Sequence, residues 1–143
     1  MNETLLTALT PALIIDALQQ AGCRAAEVRH QQDVVIESAL QGLGFTVAFG
    51  NRLPDESGER YVDCAFRCVL RIQGDFPEEK VALWNRDRRF ARLARHGDAL
   101  VLSLDVLPAG GVSAAWLRAQ VELWDLLLRE YLRFLQAPAA EAA

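Results

Sequence analysis

The chain has 143 residues, 52% of them hydrophobic and 24% charged, which is enough apolar material for one folded core and excludes wholesale disorder. Its formal net charge of -4 disfavours generalised binding to nucleic-acid backbones. Apolar runs, such as 34–36 and 126–128, fall far short of the roughly 20 residues a membrane span requires. Met1-Asn2-Glu3 lacks the basic start of a secretory signal, so a soluble, cytoplasmic protein without membrane association is expected. Three cysteines, Cys23, Cys64 and Cys68, fit a reducing compartment and no disulfide framework.

Residues 1–9 read as a short helix or an arm. A first helix begins after Thr10, a good N-cap, with Pro11 at its first position and Gly22 at its stop. Strand signals follow at 24–29, around Val34-Val35-Ile36, and at Phe45, Val47 and Phe49. A polar loop covers 51–59. From Tyr61 to Ile72 the alternation is strict, with Val62, Cys64, Phe66, Cys68, Leu70 and Ile72 on one face. Tyr61, Asp63, Ala65, Arg67, Val69 and Arg71 make a wetter opposite face.

A second helix is expected from Pro77 to about Phe90, then a hairpin of strands 91–95 and 99–107 around His96-Gly97-Asp98. A long third helix, capped by Ser113, should run to about Leu135. The expected layout is a single α+β domain over 1–143. Its order is α-β-β-β-β-α-β-β-α, with an antiparallel sheet, helices on one side, and a frayed tail at 136–143.

On the third helix, Leu117, Val121, Trp124, Leu128, Tyr131, Leu132 and Leu135 form one stripe. Beside it, Trp116, Leu123, Leu127 and Phe134 form a second row with coiled-coil-like spacing. The combined apolar arc is near 180°, wider than the ~100° one core face requires. It fits either a deep groove within the monomer or a face for self-association or partner binding.

Chemistry finds little local support. Cys64 and Cys68, four apart in a strand, lie roughly 13 Å from each other, too far to share a zinc ion. They read as core residues, and His30 and His96 as surface turn residues. No Gly-x-Ser-x-Gly elbow or phosphate-cradling loop occurs, and Asp63 and Asp105 fall on wetter strand faces. No enzyme activity, catalytic residue, metal or cofactor is expected. The one charge anomaly is Arg86, Arg88, Arg89, Arg92 and Arg95 within ten residues, offset only by Asp87. These arginines could grip an anion or nucleic acid, or pair locally and cover apolar surface with their stems.

The stretch Trp84-Asn85-Arg86-Asp87-Arg88-Arg89-Phe90-Ala91-Arg92 resembles the hallmark of the YbjN-like family. Gly110-Gly111-Val112 before the Trp116–Phe134 helix resembles the family's closing segment, and Thr10-Pro11 with Ala21-Gly22 its opening helix, so the likeness spans about 10–135. That family is similar in fold to type III secretion chaperones, small acidic homodimers that bind extended protein partners. The resemblance implies a homodimer with a protein-binding, loosely regulatory role, and carries no catalytic residues. The expectation is therefore a non-enzymatic, chaperone-like adaptor. Trp116, Leu123, Leu127 and Phe134 would form its self-association or partner interface. The sheet face with Tyr61 and Val69, or an exposed strand edge, would hold an unidentified cytoplasmic protein. The alternative is a nucleic-acid-associated protein using the Arg86–Arg95 cluster.

Overall fold

The computed structural model describes residues 4–31, 33–54, 58–74 and 76–137. The elements run α1 (Pro11–Gln20), β1 (Ala26–His30), β2 (Asp33–Leu40), β3 (Leu43–Phe49), β4 (Cys64–Arg71), α2 (Glu78–Asp87), β5 (Arg92–His96), β6 (Ala99–Val106) and α3 (Ala114–Gln136). The six strands form one antiparallel sheet in the order β1-β2-β3-β4-β6-β5. The α+β class and the element order expected from the sequence are those observed. Of the expected frayed tail at 136–143, residues 138–143 lie outside the described residues.

Local chemistry sets the helix ends. The Thr10 hydroxyl accepts the Leu13 amide at 3.1 Å, and the Ser113 hydroxyl accepts that of Trp116 at 3.0 Å. At the far end of α1, Gly22 takes φ +87°. There the Cys23 amide reaches Leu18 O and the Gly22 amide reaches Gln19 O, a Schellman closure that a side chain at position 22 would strain. The chain's single lysine, Lys80, is buried and donates to Phe134 O and Ala137 O, both at 3.1 Å, capping the last carbonyls of α3.

Alternation splits the sheet into two faces. Cys64, Phe66 and Cys68 of β4 and Leu100, Leu102, Leu104 and Val106 of β6 point into the core. Trp124 of α3 packs edge-on to Phe45, with centroids 5.8 Å apart, and tilted against Phe66 at the same distance. Trp84 of α2 meets Tyr131 and Phe134 of α3 at 5.5 and 5.4 Å. Each such aromatic pair adds about 0.5–1.5 kcal/mol beyond the area it buries. The three helices thus gather on one side, and α3 packs against α1 and α2 as well as the sheet.

Three boundaries differ from the sequence reading. Strand β4 starts at Cys64, because the backbone of Tyr61 exchanges hydrogen bonds with Leu9 at 2.8 Å each way. That contact, with a second between Leu6 and Val112, makes the N-terminal segment from residue 4 an extended arm rather than a helix. Strand β1 begins at Ala26 rather than at 24. Helix α2 stops at Asp87, with Arg88 extended and Phe90 at φ +76°.

Candidate functional site

Among the described residues, no element covers the sheet face away from the helices. Across its middle run Glu37, Thr46, Arg67, Ser103 and Arg92, neighbours in successive strands. Val69 stands opposite Val101, and Val101 opposite Ala94. Most side chains here are small, and Val69 is 55% exposed. A shallow depression of about 240 Å³ lies beside it, bordered by Glu37, Gly44, Thr46 and Arg67. Glu37 on β2 and Arg67, Arg71 and Arg92 on β4 and β5 bring charge to this face, with Arg71 bound to Asp98 at 2.9 Å and Arg92 3.9 Å from Asp105.

Tyr61, expected on this face, is 7% exposed instead. Its ring stacks on Phe49 at 4.6 Å and its hydroxyl donates to Glu59 at 3.1 Å, because the arm holds its backbone out of the ladder. The second row of α3 also divides. Leu127 and Phe134 are only 4% and 6% exposed within the monomer, while Trp116 and Leu123 are half-buried against the same core. The breadth of the apolar arc has a local cause: α2 lies beside α3 and buries Phe134 under Trp84. The row is therefore not an intact exposed seam.

The arginine cluster is largely engaged. Arg86 binds Asp87 at 2.8 Å. The Arg88 guanidinium lies 4.5 Å from the Trp84 ring and 5.1 Å from that of Phe134, with Glu130 3.9 Å away. Arg92 comes within 3.9 Å of Asp105, and Arg95 donates to Gly97 O and Phe76 O. Arg89 makes no ion pair among the described residues. Next to it, Phe90 is 70% exposed at the apex of a tight turn closed by the Ala91 amide on Arg89 O, at 2.9 Å. An aromatic residue at positive φ in such a turn is strained.

The Trp-Asn segment proves to be a structural clasp, which no local sequence signal gave away. Trp84 Nε1 donates to Ala91 O at 3.2 Å. The Asn85 amide donates to Leu93 O at 2.8 Å and accepts the Leu93 N–H at 2.9 Å, standing in for a neighbouring strand along the outer edge of β5. Among the described residues, the opposite edge, β1, has no comparable cover. Its Arg29 pairs with Glu27 at 3.0 Å and with Glu59. That guanidinium draws the Glu59 carboxyl below its ordinary pKa.

Among the described residues no group of three or more His, Cys, Asp or Glu side chains stands ready for a metal ion. Cys64 and Cys68 are buried as neutral thiols. Burial, reinforced by the charges of Asp63 and Asp105, pushes Cys64 up to about 12, and burial alone pushes Cys68 up to about 11. His30 and His96 are exposed at the ends of β1 and β5. No helix among the described residues is long and apolar enough to cross a membrane.

These features define a one-sheet α+β protein whose open face and unequal edges are its most distinctive surfaces. The chain belongs to the YbjN family, whose profile matches residues 10–137 and is described as "putative bacterial sensory transduction regulator". No curated protein and no solved structure matches the chain.

Proposed function

We propose that this protein is a cytoplasmic, non-enzymatic, homodimeric adaptor of chaperone-like kind, which presents its open sheet face to a protein partner in a regulatory role. The observation that carries this reading is the open face around Val69, where an apolar patch of Val69, Val101 and Ala94 lies beside the row that carries Glu37, Arg67 and Arg92. Such a patch fits the general anatomy of a protein interface. The family's regulator description supports the same direction. The engagement of most of the Arg86–Arg95 cluster counts against the nucleic-acid alternative.

The test is a tagged capture from native lysate with wild-type protein and with Val69→Asp, each with and without nuclease. The reading expects a near-stoichiometric protein that survives nuclease and is lost with Val69→Asp. Capture indifferent to Val69→Asp would remove the sheet face as the site. Release by nuclease would favour nucleic acid bound through Arg89 instead.

A further inference from the structure

The two sheet edges are built differently. Asn85 occupies the Leu93 backbone on β5. On β1 the side chains from Ala26 to His30 are exposed, apart from half-buried Val28. An uncovered edge strand offers a row of N–H and C=O groups to another strand. The sequence of this edge is Ala26-Glu27-Val28-Arg29-His30, with opposite charges placed symmetrically about one valine.

We infer that a second copy of this chain docks on that edge, β1 against β1, antiparallel and centred on Val28. The inference rests on the homodimer reading and names its surface. Residues directly opposite in an antiparallel pair share a face of the sheet. Centring on Val28 sets valine against valine on the open face. On the helix-bearing face it sets Glu27 against Arg29 of the second copy, twice over by symmetry. His30 then meets only the small Ala26 of the second copy. A shift that centres on Glu27 opposes two carboxylates, and one that centres on Arg29 opposes two guanidinium groups. Charge therefore selects one register as well as the partner. Each Arg29 already holds Glu27 and Glu59 of its own chain and keeps its side chain 47% exposed. Val28 would also carry the row Val28-Val35-Ala48-Ala65 across the dimer axis, so that both open faces join as one surface.

The experiment is sedimentation equilibrium of the full chain as wild type, Glu27→Arg, Arg29→Glu, the double variant, and an equimolar mixture of the two single variants. Wild type should dimerise, and each single variant should associate at least about tenfold more weakly, because like charges then meet twice. The double variant should dimerise again. In the mixture, the introduced arginine faces the introduced glutamate while the native Glu27–Arg29 pair forms at the other position, so the mixture should recover wild-type affinity. That recovery does not occur if the single variants simply fail to fold, and far-ultraviolet circular dichroism of each variant checks this directly. Single variants that dimerise like wild type would overturn the β1 interface and leave the homodimer reading standing. A mixture that stays monomeric, although both variants are folded, would overturn the interface as well. A monomeric wild type would overturn both.

Discussion

The guanidinium of Arg88 lies 4.5 Å from the ring of Trp84, one turn earlier in the chain. The contact is shared with Phe134, so the side chain joins α2 to the end of α3 as a planar cation on two aromatic rings. Its neighbour Arg89 is exposed and makes no ion pair among the described residues. Arg88→Ala should therefore lower unfolding stability by about 1–2 kcal/mol, whereas Arg89→Ala should stay within about 0.5 kcal/mol of wild type. Urea denaturation of both variants checks this, and equal effects would mean the stacking contributes nothing.

Asn85 serves Leu93 as both donor and acceptor, so the isosteric change Asn85→Asp removes one half of the exchange. The carboxylate can still accept the Leu93 amide but now faces the Leu93 carbonyl with negative charge. A loss of about 1–3 kcal/mol is expected, together with faster hydrogen exchange at the amides of β5. An unchanged exchange rate there would show that the clasp is not what holds the edge.

Burial raises the thiols of Cys64 and Cys68 from an ordinary 9.0 to about 12 and about 11. The folded chain thus holds these protons more tightly than the unfolded chain. The resulting stability is fully present below pH 9 and is lost as pH climbs through the folded values. Stability measured by urea should fall from about pH 9 to about pH 12, and Cys64→Ala with Cys68→Ala should flatten part of that fall. At pH 8 a thiol reagent should leave both residues unmodified until urea is added.

Phe90 holds a positive φ that glycine adopts freely, while its side chain is mostly in solvent. Phe90→Gly should raise stability by about 1 kcal/mol by relieving the turn. Phe90→Ala, which keeps a Cβ at the same φ, should bring no such gain. A drop in the urea midpoint for the glycine variant would mean the ring packs on something important in solution.

The order of elements was legible because burial follows period: two in β4 and β6, and the helical repeat in α3. What escaped were features set by segments distant in sequence. Tyr61 continues the alternation of β4 in phase, and only the backbone of Leu9 decides that it leaves the ladder. Phe134 belongs to a row that a helical wheel leaves unassigned, and only the adjacency of α2 buries it under Trp84. The unequal edges were equally hidden, since nothing around Asn85 says that its amide will meet Leu93 eight residues later.

The Asn85 clasp also limits what this sheet can become. A sheet with two live edges can add copies without end, as a fibre does. Here the Leu93 backbone on one edge is already engaged by a side chain from within, whereas among the described residues β1 carries no such clasp. Two copies joined at β1 would place a clasped β5 at each outer end, where further addition would first have to displace Asn85 from Leu93.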